Sequence, residues 1–532
     1  MRLVSVAEMK QLEAAADAQG YSYEMMMLKA GNELAKVVHK RYFSKESNQA
    51  VGLIGSGNNG GDALVALSYL CTLGWTSTAI LFKSKPESDQ LVQGLLDNGG
   101  IVLDLTAKGS EKRIRNVVES ANVIVDGVLG TGFKLPLSPE YARYLSEVNK
   151  VLDGQIVVAV DCPSGVDCDS GESSPETLEA TLTVCMEAVK QGLVRMPAFL
   201  KCGEIVTVDL GIPKSARTEI PGKRQVADSE IVLDLLPLRP RDAHKGSFGS
   251  VMVVGGSINY TGAPVLAARA AYKVGAGLVQ MAIPASIQPM LAGNIVEAIW
   301  LLLDEQVGVI AESAYPIVRS ALDKMSCLLL GPGIGRDETT ARFISGLLMG
   351  EADSHSKTMG FIHEEKGSNA AGSKLPAFVI DADALRILAT LADWPKRING
   401  KGVLTPHPGE MAALTGMDTE QVQKDRESIA MDFAKKWGQV VVLKGALSVI
   451  AEPGGKSVVI PVASSALAKA GTGDVLSGII AGLMAQGVGA FDAAVAGAWL
   501  HAQAGVFAAE VVGTEASVMA SDVIEFLPYV MR

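Results

Sequence analysis

The sequence predicts an α/β protein of two successive domains, each a mostly parallel sheet covered by helices on both faces. Three observations predict it. Short β-rich runs alternate with helical stretches in two separate series. Between them, residues 211–230 (GIPKSARTEIPGKRQVADSE) lose that periodicity and gather Pro, Gly and charge. The 532 residues are 48% apolar and 20% charged, enough for more than one large core. The boundary is set at 218/219, giving domains 1–218 and 219–532.

The elements follow in order. Residues 9–41 carry Met9, Leu12, Met25, Met26 and Leu28 at helical spacing. The Met25–Met27 cluster reads as core packing, with a binding surface as the alternative. The first strand series is VGLIG (51–55), TAILF (78–82), NVIVDG (122–127), IVVAVD (156–161) and EIVTVDL (204–210). The second is SVMVVGG (250–256), GLVQMAIP (277–284), CLLLGPG (327–333), AFVIDAD (377–383), GVLTPHP (402–408), VVVLKGA (440–446) and SVIAEP (448–453). Residues 349–376 read as a surface insertion, with His355 and His363 in solvent rather than on a metal. The uncharged stretch 475–491 is short for a bilayer span and rich in Gly, so it reads as a buried helix.

Charge and cysteine usage narrow the function. Lys plus Arg number 47 against 58 Asp plus Glu, a net charge of −11 with no long basic run, which argues against a nucleic-acid groove. The six cysteines (71, 162, 168, 185, 202 and 327) form no C-x-x-C pair, which argues against zinc and for a reduced compartment. The N-terminal segment has early acidic residues and no apolar stretch of signal type. A cytoplasmic protein, off the membrane, is the expectation.

The first chemical signal is Gly55-Ser56-Gly57-Asn58-Asn59-Gly60-Gly61-Asp62, between a strand and a helix. Gly55, Gly57 and Gly60 satisfy G-x-G-x-x-G, whose small residues let backbone N–H groups approach a phosphate at the positive helix end. A dinucleotide site also wants an acidic residue closing the next strand, and Phe82-Lys83-Ser84 supplies none. Walker A chemistry fails as well, because Gly61-Asp62 stands where Lys-Ser/Thr is needed. A phosphorylated ligand remains the functional reading; a Gly-rich turn with Asp62 capping the helix is the bland one. Asp126 and Asp161 close the next two strands, where ligands of open α/β sheets bind, though each also suits a cap or turn. Asn59, Asp126 and Ser164 offer the oxygen donors that suit a hard cation.

The second signal is Gly471-Thr472-Gly473-Asp474 at the start of the long apolar stretch. Consecutive N–H groups at a helix start make an anion hole for a transferring phosphoryl group, and an Asp beside it can take the proton of an attacking hydroxyl. A plain N-cap is the alternative. Other loop-end signals converge with it: Gly331-Pro332-Gly333-Ile334-Gly335, Asp381 with Asp383, Thr405-Pro406-His407-Pro408-Gly409-Glu410, and Lys444-Gly445-Ala446.

NNGGDALV, VDGVLGTGF and VAVDCPSGVD resemble the YjeF-type epimerase domain of bifunctional NAD(P)H-hydrate repair enzymes. HKGSFG, YTGAP, AAYKVGAGLV and GTGD resemble their ADP- or ATP-dependent dehydratase domain. The resemblance implies a Rossmann-like three-layer αβα domain followed by a ribokinase-like α/β domain. It also implies site residues. Asn58, Asn59, Gly60, Gly61, Asp62 and Gly130, Thr131, Gly132, Phe133, Lys134, Leu135, Pro136 would hold the damaged cofactor, with Asp161 acting on it. Potassium would sit on Asn59, Asp126 and Ser164. In the second domain Ala263, Gly335, His407 and Asp474 would touch the hydrated nucleotide, and Lys444, Gly445, Ala446, Leu447, Ser448 and Gly473 the ADP or ATP. Lys469 stands where the resemblance suggests a small or hydroxyl residue.

The activity so implied is repair of hydrated NADH or NADPH (NAD(P)HX). The first domain would interconvert R and S epimers with potassium organising the phosphates. The second would phosphorylate the S-form hydroxyl with Mg²⁺ on ADP or ATP, Asp474 acting as base, and phosphate would leave. Related enzymes form homo-oligomers, so one is expected. The alternative is a vitamin or sugar kinase carrying a non-catalytic N-terminal scaffold domain.

Overall fold

The computed structural model describes residues 1–86, 88–107, 111–218, 222–350, 375–398 and 400–532, so most of the 349–376 insertion, with His355 and His363, lies outside the described residues. The chain divides into two compact units, Met1–Val226 and Ala227–Arg532. The division falls within the 211–230 segment. Residues 224–226 stay with the first unit because the N-terminus holds them: Met1 N donates to Val226 O at 2.8 Å and Val226 N to Met1 O at 2.8 Å.

The first unit carries a seven-stranded sheet, parallel at every pairing, in the spatial order Ile101–Asp104, Thr76–Leu81, Gln49–Ile54, Val123–Gly127, Ile156–Val160, Leu182–Met186 and Glu204–Val208. Successive strands extend to one side of Gln49–Ile54 and then to the other. The order therefore reverses beside that strand, which opens a crevice at its carboxyl end. The chain fills this crevice with glycine. A Cβ on Gly55 would stand 1.8 Å from Val128 O, and one on Gly60 2.2 Å from Gly55 O. The fingerprint glycines thus let main chain press on main chain.

The helical stretch 9–41 is two helices, Val6–Ala18 and Tyr23–Tyr42, broken at Gly20 in the left-handed region. Met9, Leu12 and Met26 are buried, whereas Met25 and Leu28 are exposed. The core-packing expectation for the methionine cluster thus holds for Met26 and fails for Met25. The first unit's cores lie on the two sheet faces, one built around Leu34, Leu64 and Leu67 and the other around Ile80, Ile124 and Leu145.

In the second unit the strands run Ser457–Val459, Val449–Ala451, Val440–Leu443, Gly402–Leu404, Ala377–Ile380, Cys327–Leu330, Ser250–Val254, Leu278–Pro284 and Ile299–Leu303. Only the pairings flanking Val449–Ala451 are antiparallel. The order reverses between Ser250–Val254 and Cys327–Leu330, directly below the Gly331–Gly335 loop. The stretch 475–491 is largely the helix Thr472–Ala485, buried from Val475 to Ala485 as expected. Its small residues allow close packing: a Cβ on Gly478 would stand 2.2 Å from Ala267 O in helix Gly262–Lys273. The following helix, Ala490–Val512, is long and apolar enough to cross a membrane, but 61% of its most apolar window is buried within the protein.

Candidate functional site

The structure assembles two sites, one in each unit. In the first, a cavity of about 470 Å³ opens at the sheet crevice and brings together Asn58, Asn59, Asp62, Gly130, Thr131, Gly132, Phe133 and Asp161. Tyr23, Met26 and Met27 form part of its wall, so the buried Met26 packs in the core and also faces the cavity. Gly60, Gly61, Lys134, Leu135 and Pro136 do not line it. Gly60 and Gly61 lie inside helix Asn58–Thr72, and Gly61 allows Met27 to approach, since a Cβ there would stand 2.6 Å from its Sδ.

Asp62 is not a helix cap. Gly57 occupies the N-cap without a side-chain bond, and Asp62 sits one turn inside, facing the cavity. Burial pushes its carboxyl well above the usual range, and the negative charges of Asp161 and Glu13 push it further. Asp161 follows strand Ile156–Val160 in the left-handed region, with φ of 65°, a strained position for a non-glycine residue. Its Oδ1 accepts from Met186 N at 2.9 Å and from Lys190 Nζ. Lys190 is fully buried and also donates to Met186 O at 3.2 Å and Ala188 O at 3.1 Å. Burial alone would lower its pKa; attraction to Asp161 reverses this, and the net direction is upward. The ammonium stays charged and fixes the Asp161 carboxylate beside the cavity.

Sequence reasoning missed Lys190 and Glu13. Glu13 lines the cavity, and burial raises its carboxyl despite the attraction of Lys190. The available signal for Lys190 was a lone cation closing the apolar run LTVCMEAVK (182–190). Nothing in the sequence shows that its head turns inward.

Asp126 is fully buried near the end of its strand; it caps no helix, but its Oδ1 accepts from Val128 N at 3.4 Å, so the turn reading holds in part. Its Oδ1 accepts from Ser164 Oγ at 2.5 Å and its Oδ2 from Ser164 N at 2.8 Å. Burial raises its carboxyl and these bonds oppose the rise. Beside it, Asn59 Nδ2 donates to Val160 O at 2.5 Å and Leu129 O at 3.3 Å. Asn59, Asp126 and Ser164 therefore meet as expected, among converging main-chain oxygens.

The second site lies at the carboxyl ends of consecutive strands. Asp381 accepts from Lys444 Nζ at 2.6 Å, and Glu410 Oε2 lies 3.8 Å from the same nitrogen. Glu410 and His407 form a reciprocal cap: His407 N donates to Glu410 Oε2 at 2.8 Å, and Gly409 N to His407 Nδ1 at 3.0 Å. Arg426 donates to Leu443 O at 2.9 Å and Lys444 O at 3.2 Å, which fixes the chain carrying Lys444. Asp474 is the third residue of its helix. Gly471, in the left-handed region, occupies the N-cap without a side-chain bond, so the first-turn N–H groups stay uncapped by any side chain.

Burial, then repulsion from Asp381, raises the Asp474 carboxyl to about 7, against the attraction of Lys444. Glu410 reaches about 7 chiefly by burial. Burial, and then Lys444 and Arg386, lower the pKa of His407. A carboxyl titrating near neutrality beside an ammonium and a helix N-terminus can take a hydroxyl proton while anionic charge is held nearby.

A cavity of about 450 Å³ beside this cluster is lined by Lys444, Gly445, Ala446, Ser448 and Gly473, with His407 and Lys469 at its wall. Leu447 does not line it; it is buried, with φ of 56°. Ala263 and Gly335 do not line this cavity. A Cβ on Gly333 would stand 3.0 Å from Ala263 Cβ, and Arg336 Nε, next to Gly335, lies 3.4 Å from Asp383 Oδ1. His501 was not anticipated and also lines the cavity.

Comparison with known proteins agrees with this division. Residues 23–192 match the family of YjeF-related protein N-termini, and residues 251–528 match the NAD(P)H-hydrate dehydratase family. The chain is 35% identical over 543 residues to the bifunctional NAD(P)H-hydrate repair enzyme of Moorella thermoacetica, covering 100% of this chain and 97% of that protein. It is 32% identical over 539 residues to that of Coxiella burnetii, covering 98% and 97% respectively. The solved ADP/ATP-dependent NAD(P)H-hydrate dehydratase from Bacillus subtilis, co-crystallised with ATP/Mg²⁺, is 25% identical; it covers 57% of this chain and 97% of its own, with a TM-score of 0.46.

Proposed function

The chain belongs to the family of bifunctional NAD(P)H-hydrate repair enzymes, and from that premise we propose which residues perform each half of the repair. Residues 1–218 carry the epimerase site and residues 219–532 the dehydratase site. The observation that carries the reading is the Asp474–Asp381–Lys444–Glu410 cluster at the uncapped helix start.

In the dehydratase site, Lys444 and the first-turn N–H groups would hold the phosphates of ADP or ATP, and Mg²⁺, when bound, would add positive charge to offset theirs. Ala263, Gly335 and His407 position the hydrated nicotinamide nucleotide. Asp474 takes the proton of its ring hydroxyl as the phosphoryl group transfers. Phosphate is a far better leaving group than hydroxide, so the C–O bond breaks with phosphate departing, and loss of a proton from the adjacent ring carbon re-forms the double bond. Because Asp474 acts as base, it must be ionised. kcat/KM for dehydration should therefore fall as pH drops below about 7, and a flat profile between pH 5.5 and 8 would remove Asp474 from that role.

In the epimerase site, the cavity at Asn58–Asp62 and Gly130–Phe133 holds the hydrated cofactor, and the Asp161–Lys190 pair moves the proton. The oxygen-rich cluster of Asn59, Asp126 and Ser164 suits potassium, since its donors are side-chain oxygens beside the Val160 and Leu129 carbonyls. When bound, the ion would supply positive charge for the substrate phosphates. Epimerisation should rise with potassium over a tetramethylammonium background, and Asp126→Asn should remove most of that rise. An equal rate in both salts would reject the potassium site.

The −11 charge and six free cysteines support a cytoplasmic location. Exposed Met290, Val296, Ile299 and Leu302 on and before the edge strand support a homo-oligomer, which sedimentation would reveal.

A further inference from the structure

A third cavity, of about 730 Å³, lies in the first unit and shares no lining residue with either site. It is a groove between helices Glu111–Ser120 and Pro139–Asn149, reaching down to the end of strand Thr76–Leu81. Ile80, Phe82, Ile114, Val118 and Val148 form its deep wall and are all buried, whereas its rim carries Lys112, Arg115, Arg143 and Lys150. Four cations on one rim run against the net charge of −11. Among the described residues that line the groove, Glu147 is the only acid.

The four charges are not equally neutralised. Lys150 pairs with Glu147 at 2.7 Å, and Arg115 with Glu119 at 2.8 Å. Among the described residues, Lys112 and Arg143 have no acid within ion-pair distance, and Arg143 lies over the Tyr144 ring, 4.7 Å from its centre. Both helices follow strands of a parallel sheet and so start at its carboxyl edge. Lys112 and Arg143 therefore stand toward one end of the groove and the Glu147–Lys150 pair toward the other. From Arg143 to Lys150 the helix advances about 10 Å.

The wall defines the body of an occupant. Among the described residues, no glycine, serine, threonine, asparagine or glutamine lines the groove, in contrast to the cavities of the two sites. A ribose or a base would leave its polar groups unpaired there. An extended apolar chain with one anionic end matches both the buried wall and the unneutralised cations.

We propose that this groove binds a straight-chain amphiphile with an anionic head, its chain along the buried wall and its head on Lys112 and Arg143. The test is calorimetric titration of the full chain with decanoate, octanoate and decyltrimethylammonium, all below micelle-forming concentrations. Octanoate, two buried CH₂ groups shorter, should bind about fifteenfold more weakly than decanoate. Decyltrimethylammonium, with the same chain and the opposite charge, should not bind measurably. Lys112→Gln combined with Arg143→Gln should weaken decanoate about tenfold. Val151→Trp, which fills a partly buried stretch of the wall, should weaken it at least as much. The Gln substitutions alter exposed side chains and serve if the Trp variant fails to fold. Absence of decanoate binding, equal binding of the cationic amphiphile, or unchanged decanoate affinity in both variants would overturn the proposal. Co-sedimentation with anionic phosphatidylglycerol vesicles without decanoate binding would also overturn it and assign the basic rim to a membrane surface.

Discussion

Asp474→Asn abolishes nucleotide-dependent repair while leaving epimerisation of the R and S forms intact. The expected loss in dehydration kcat is about 10²- to 10⁴-fold, the range for removal of a positioned general base. Substrate and nucleotide binding should change little, because Lys444, His407 and the helix N-terminus remain. Single-turnover rates with saturating ADP or ATP, together with an independent assay of epimer ratio, measure both quantities. Equal loss of both activities would contradict separate sites.

The same substitution should stabilise the protein. The Asp474 carboxyl is raised to about 7 in the folded chain, above its unfolded value. The folded state therefore binds the extra proton between these values, and the ionised carboxyl costs stability as pH climbs through that window. Above about pH 7 the cost is full. The neutral amide removes it, so Asp474→Asn should be more stable than the parent by about 1–3 kcal/mol at pH 8 and by less at pH 5. Denaturant unfolding of the second unit at the two pH values measures this. A variant equally or less stable at pH 8 would show that Asp474 is not held against its solvation preference.

Lys190→Met has the other large effect. It leaves the Asp161 carboxylate buried and unpaired, a change that destabilises by about 3–5 kcal/mol. Lys190 is raised above its unfolded pKa, so the stability it contributes is fully present below about pH 10.5 and fades only as pH rises through the still higher folded value. The loss should therefore appear undiminished at pH 7. Epimerisation should disappear with it. Lys190→Met with Asp161→Asn should regain much of the stability, because no buried charge remains, and none of the epimerisation. Recovery of activity in the double variant would show that the pair is structural only.

Much of this was legible in the sequence where chemistry follows strand ends. Asp126, Asp161, Asp381, His407 and Lys444 all follow apolar runs, and the parallel sheets carry them to one rim in each unit. Strands Ile101–Asp104, Leu182–Met186, Ile299–Leu303 and Ser457–Val459 were not anticipated. They are short and all four lie at or next to a sheet margin; Ile101–Asp104 and Ile299–Leu303 are also partly exposed, so burial imposes a weaker pattern on them. The alternative reading of Asp62 as a cap fails because the helix starts at Asn58, one turn earlier. His501 and Lys190 were invisible for a common reason. Their roles depend on which way a polar head turns in a buried setting, and that is decided by tertiary packing rather than by local spacing.

The most direct measurement follows the near-UV absorbance of reduced nicotinamide in a mixed R and S sample of hydrated NADH, with Mg²⁺, potassium, and ADP or ATP in parallel. Complete recovery is expected with at least one nucleotide, and recovery that stops at the S fraction in Asp161→Asn. No recovery with either nucleotide, or release of a stable phosphorylated product, would contradict the repair reading and favour a small-molecule kinase.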